Sequence, residues 1–262
     1  IADFLSSRYG RAPGLAALVA ALALVAATPY VALQFKAVAD SIQVLAGAPG
    51  SAGVLSDPAF YTALLLAVFA ILFGTRRIDA TEHHHGMVLA VALESLVKLV
   101  AFVAIGLFAL THLPGVGGIG DRMVQAADAV LQPGLPVGFV AQTLLAFTAL
   151  MCLPRQFHVA VVECQNPGDL RVARWFFGGY LVLISLMVVP ITLAGQAVLG
   201  GSGISPDTYV LALPLALDQG ALALIVYIGG FSAATGMVIV TSVALATMVS
   251  NDLIVPALLR TG

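Results

Sequence analysis

Between Gly14 and Ala46 the chain carries only two charged residues, Lys36 and Asp40, in an apolar run long enough to cross a bilayer. Five further apolar runs follow, at Ala59–Gly74, Met87–Leu113, Val137–Val162, Trp175–Gly200 and Ala221–Ser250. In hydrocarbon, backbone amides must be satisfied within the segment, so such runs fold as helices. The expectation is an all-α integral membrane protein of about six transmembrane helices, the second of them short. Breakers separate the spans, at Ala48-Pro49-Gly50-Ser51-Ala52-Gly53, Pro114-Gly115-Val116-Gly117-Gly118 and Gly200-Gly201-Ser202-Gly203. Asp121–Leu131 reads as a short interfacial helix ahead of Pro133-Gly134.

Composition narrows the class further. Of 262 residues, 60% are hydrophobic and 9% charged, and the mean hydropathy is +1.05. Soluble domains of this size carry far more charge. A pI of about 6.2 argues against a nucleic-acid partner. Cys152 and Cys164 lie twelve residues apart on one expected helix. That is about 18 Å at 1.5 Å rise per residue, too far for a disulfide. The chain opens on Ile1 and a polar stretch, with no secretion signal, and reads as a piece of a longer protein. Residues 1–262 are expected to belong to one transmembrane domain.

The arginines set the orientation. Arg8 and Arg11 precede span one, Arg76 and Arg77 follow span two, Arg171 and Arg174 follow span four, and Arg260 follows span six. With alternating spans all seven fall on one side, against Arg122 on the other. Basic residues accumulate on the cytoplasmic side, so both ends are expected there.

Span four contains the pattern most suggestive of function, Leu153-Pro154-Arg155-Gln156-Phe157-His158. The proline withholds a backbone donor and disfavours a regular turn before it. A permanent cation and an imidazole stand beside it at membrane depth, where ionisable groups mark functional sites. Broken helices near the midplane hold the solute in several transporter folds. Helical hydrogen bonding is expected to fail around Leu153–Phe157, near a cavity between spans one, four and six. Pro154, Arg155, Gln156 and His158 are the candidate solute-binding residues. Arg155 can hold a carboxylate through its planar fork; equally, it can close a cytoplasmic gate on Glu163. His158 can bond the solute, carry a proton or rest on a carbonyl.

Two intramembrane ion pairs are expected, Lys36–Asp40 and Glu94–Lys98, each at four-residue spacing on one helix face. Glu94–Lys98 is nearer mid-span; Lys36 can snorkel outward. His83-His84-His85 follows Glu82, and adjacent histidines do not converge as a metal cage. In the last span, Gly229-Gly230-Phe231-Ser232-Ala233-Ala234-Thr235-Gly236 suits close helix approach. Alternatively, Ser232, Thr235, Thr241 and Ser242 offer hydroxyl oxygens to a hard cation such as sodium.

The run from Cys152 to Glu163 resembles a signature of the transporter-like input domain of CbrA-type sensor histidine kinases. So do Ala2-Asp3-Phe4-Leu5-Ser6-Ser7-Arg8-Tyr9-Gly10, Glu94 to Phe102, and Phe231 to Val240. That domain is similar to the sodium/solute symporter family, whose architecture resembles LeuT. The resemblance implies a partial LeuT-like inverted-repeat bundle, with this chain supplying the third to eighth core helices. Span four would be the broken helix of the second repeat. The family's sodium site uses adjacent Ser-Thr hydroxyls; the corresponding place here is Ala234-Thr235, with one hydroxyl missing, so a proton stands beside sodium as the implied coupling ion.

The implied function is a transporter-like membrane sensor that binds, and can transport, a small polar solute such as the amino acid histidine. A cytoplasmic kinase domain of the same polypeptide, and a response regulator acting through it, are the implied partners beside the lipid bilayer. The implied location is the bacterial inner membrane. The alternative is an ordinary ion-coupled symporter without a kinase. The chain itself shows no catalytic constellation and calls for no resident cofactor.

Overall fold

Apolar runs satisfy their amides by coiling, and the computed structural model of the protein is helical with no strand among its described residues. These are residues 1–46, 53, 57–69, 71, 85–113, 121, 124, 128, 138–162, 164 and 168–261. A short helix α1 (Ala2–Arg8) has Asp3 in its first turn and Arg8 in its last, which complements the helix dipole. Gly10 (φ 68) and Arg11 (φ 54) turn the chain through left-handed backbone into α2 (Pro13–Ala46). Then come α3 (Pro58–Phe69), α4 (His85–Thr111) and α5 (Phe139–Cys152). Next is α6 (Pro154–Phe157), continuing as a π turn at His158–Val162. The remaining elements are α7 (Asp169–Leu199), α8 (Tyr209–Ala216) behind a 3-10 turn at Pro206–Thr208, α9 (Gly220–Val249), a second π turn at Ser250–Ile254, and α10 (Val255–Thr261).

Four of these are long and apolar enough to cross a membrane: α2, α4, α7 and α9 with its continuation. The bent pair α5–α6 makes a fifth if it is one span. The chain is thus a multi-pass helical membrane protein with four to five spans among its described residues, against about six expected. The difference is α3 and, if it is not one span, the bent pair α5–α6. The described twelve residues of α3 rise about 18 Å, short of a hydrocarbon core of roughly 30 Å. Arg76, Arg77, Arg122, Glu163, the Glu82–His84 stretch, most of the Gly47–Asp57 loop and most of Asp121–Leu131 lie outside the described residues.

The bundle is apolar on its outside. Val25, Leu89 and Phe176 are 71%, 72% and 76% exposed, an arrangement that suits lipid and not water. Inside, two apolar clusters stand at opposite ends. One joins Ile105, Leu110, Met187, Ile191, Leu213 and Val226 from α4, α7, α8 and α9. The other joins Ala2, Ala16, Ala20 and Met248 from α1, α2 and α9. The polar residues of interest lie between them.

Two glycines bring α9 against α4. A Cβ on Gly229 would stand 2.5 Å from the Ala101 methyl, and one on Gly236 would fall onto the Glu94 carboxylate. Rising numbers on one helix meet falling numbers on the other, so the pair is antiparallel. Close approach explains Gly229, as the sequence suggested; Gly236 instead makes room for a charged side chain.

Candidate functional site

Span four breaks at its proline. Leu153 is extended (φ −68, ψ 123), and its N–H closes α5 on the Ala149 carbonyl at 3.0 Å. An extended residue before proline is what the ring's clash dictates. Pro154 opens α6, where no N–H is needed, and the Phe157 N–H bonds the Leu153 carbonyl at 3.0 Å. The two halves meet at 46°. Hydrogen bonding is interrupted where the sequence places the interruption.

The break carries Arg155 to the other spans. Its Nη1 donates to the Tyr30 hydroxyl at 2.7 Å, and the guanidinium lies 5.0 Å from the Tyr30 ring centroid. That hydroxyl donates in turn to Met237 Sδ at 2.8 Å. The polar chain Arg155–Tyr30–Met237 therefore ties α6 to α2 and α9, the helices of spans four, one and six. Gln156 and His158 are half-buried on the same segment, and the Phe157 ring packs 5.7 Å from Phe4. The alternative gate partner Glu163 lies outside the described residues.

Glu94 and Lys98 form the mid-span pair. Lys98 Nζ is 3.9 Å from Glu94 Oε1, with side chains 21% and 12% exposed. That distance is an ion pair but exceeds a hydrogen bond. Glu94 also feels Arg155, and Arg155 acts on Lys98 as well. Among the described residues, Glu94 is the carboxylate that acts on Lys98, and Arg155 acts on both members of the pair. Unmatched positive charge at this depth is costly, and an anionic group on a solute would offset it.

Lys36 and Asp40 pair at 2.5 Å, with Lys36 68% exposed, so this pair reaches outward along the end of α2 as snorkelling predicts. The Thr235 hydroxyl donates back to the Phe231 carbonyl and, at 3.1 Å, to the Ser232 carbonyl. Thr241 likewise bonds the Met237 carbonyl at 2.7 Å. Their protons are directed into their own helix, while their oxygen lone pairs stay available as acceptors.

The cavity lies elsewhere than expected. A space of about 510 Å³ opens between α2, α4 and α9 under the Pro206–Thr208 turn, and neither Arg155 nor His158 lines it. It belongs to spans one, three and six, not to the expected spans one, four and six, where Arg155 is held on Tyr30. Sequence reasoning missed Tyr30 and Met237 as partners of the break, and it named Lys36, Asp40, Lys98 and Gly229–Gly236 without bringing them together around one cavity or placing Gly236 on Glu94. Pro29-Tyr30, a proline followed by a hydroxyl at mid-span, was the available signal.

Compared with protein-family models, curated proteins and solved structures, the chain matches none of them.

Proposed function

We propose that this chain is the transporter-like sensor domain of a two-component histidine kinase in a bacterial inner membrane. It binds, and can carry, a small amino acid such as histidine. The observation that supports the reading is the broken span: Arg155 held on Tyr30 at the break, with Glu94 shared between Arg155 and Lys98. A membrane anchor needs no such cluster, whereas a solute carboxylate complements an excess of cations. The partial LeuT-like bundle and a sodium or proton coupling ion belong to the same proposal, with Ser232 and Thr235 as candidate ion ligands. The cytoplasmic kinase domain and its response regulator would read the solute-dependent state of the bundle.

The test uses the full-length protein in proteoliposomes. Radiolabelled L-histidine binding and uptake are measured with sodium and proton gradients varied separately, and autophosphorylation is followed in parallel. Saturable binding that changes autophosphorylation supports the reading. Uptake without such a change makes the protein an ordinary symporter, and no binding overturns both. Within this frame, Arg155→Lys and His158→Gln are expected to weaken binding. The loss of one charge-assisted hydrogen bond corresponds to roughly 10- to 100-fold. Parental affinity in both variants would remove the break from the site.

A further inference from the structure

The cavity of about 510 Å³ has a size suited to small ligands, and its wall is not uniformly apolar. Lys98 of α4 lines it at mid-span; Asp207, on the turn before α8, lines it at the outer end together with the Lys36–Asp40 pair of α2. Among these groups two lysines face two aspartates, so the lining is balanced in charge but divided in space. The inner end presents the Lys98 ammonium, whose carboxylate partner Glu94 stands behind it at 3.9 Å. The outer end holds a neutral pair and one further carboxylate, and Asp207 acts electrostatically on Lys36.

Lys98 is the informative member. Its ammonium stands 3.9 Å from Glu94 Oε1, too far to donate a hydrogen bond to it. An ammonium carries three donors and no acceptor. At this depth an acceptor that enters the cavity gains a charge-assisted bond with little competition from water. Phe102 and Tyr227 add aromatic side chains to the lining. Gly230 supplies room: a Cβ there would meet nothing within 4 Å, unlike one on neighbouring Gly229.

We infer that this cavity is a binding site for a small zwitterion, an α-amino acid whose carboxylate meets Lys98 and whose ammonium faces Asp207 and Asp40. A simple anion would leave Asp207 unanswered, and a simple cation would leave the Lys98 ammonium with only the 3.9 Å ion pair to Glu94 and no hydrogen bond from it. The aromatic walls suit a planar or apolar side chain. The cavity holds the amino acid itself; the break in span four does not line it and bears on binding through the electrostatic influence of Arg155 on Glu94 and Lys98. The inference rests on the reading of the chain as an amino-acid-binding domain.

Full-length protein in nanodiscs is equilibrated with an equimolar mixture of the twenty L-amino acids, and the retained species is identified by mass spectrometry. Its affinity is then measured for the parent and for Gly230→Leu, Asp207→Asn and Arg155→Lys. Gly230→Leu projects a side chain into the cavity from a position where a Cβ meets nothing within 4 Å, so it should keep the parental melting temperature and lose binding. Asp207→Asn, on the outer turn, should weaken binding, and so should removal of the ligand's own ammonium or carboxylate. One charge-assisted bond corresponds to roughly 10- to 100-fold. Parental affinity in both Gly230→Leu and Asp207→Asn overturns the site, and loss confined to Arg155→Lys places the amino acid at the break instead. A retained lipid in place of an amino acid overturns it too. A parent protein that retains no amino acid overturns the underlying reading, and the site falls with it.

Discussion

Gly236 shows how much one absent methyl can decide. Its missing side chain is the space in which the Glu94 carboxylate lies. Gly236→Ala is expected to destabilise the bundle by about 1–3 kcal/mol, as overpacking of a close-packed interior does. Gly178→Ala, where a Cβ meets nothing, should stabilise slightly, by roughly 0.5–1 kcal/mol from helix propensity. Thermal unfolding in detergent separates the two. Glu94 and Lys98 form a second residue-scale test. Removing one partner of a buried pair costs about 3–5 kcal/mol in soluble proteins, because the survivor stays charged and unmatched. Glu94→Gln and Lys98→Met should each lower the melting temperature more than the double variant does. Strictly additive losses would show that the two charges do not interact. The sequence reached this pair through its four-residue spacing but not its neighbour Gly236. Spacing along one helix is written in the chain; the identity of the residue across the interface is not.

At the scale of elements, the break in span four is the feature that sequence describes best. Proline chemistry is local, so Leu153 can be read as extended from Pro154 alone. The destination of Arg155 is not local. Its partner Tyr30 is 125 residues away, and nothing in either segment names the other. For the same reason the cavity was expected among spans one, four and six: the sequence shows that a helix breaks, but not which gap its side chains then fill. Pro154→Ala restores an N–H and removes the ring's clash, so α5 and α6 should join into one straighter span. Hydrogen exchange at Leu153–His158 should slow by the value of one or two helical hydrogen bonds, each about 0.5–1.5 kcal/mol. Arg155 would then be drawn off Tyr30, so solute binding should fall while stability holds or rises. Unchanged exchange would mean that tertiary packing, and not the proline, imposes the bend.

For the whole molecule, the arginine asymmetry makes a topological statement. If the six expected spans alternate, Arg171, at the start of α7, is expected on the same side as Arg8 and Arg11, the cytoplasmic one, and Ser202, just beyond the end of α7, on the other. In a background with Cys152 and Cys164 replaced by serine, an impermeant thiol reagent should label a cysteine at 202 in intact cells and one at 171 only after lysis. Labelling of position 171 from outside would invert the assignment. Membrane class and the long spans were legible because hydropathy is additive along the chain. The second span was legible as short for the same reason, whereas the placement of polar groups between two apolar clusters depends on packing between helices, which composition does not encode. The paired contacts Gly229–Ala101 and Gly236–Glu94 add a constraint on how such a chain can change in length. The two positions are seven residues apart on each helix, and deleting one residue between them turns everything beyond by about 100°. Gly236 would swing away, and a side chain would meet Glu94 in its place. Loops between the spans can be lengthened or trimmed freely, but the interval 229–236 can lose or gain a residue only if 94–101 does so too, which makes these two stretches a matched ruler within the membrane.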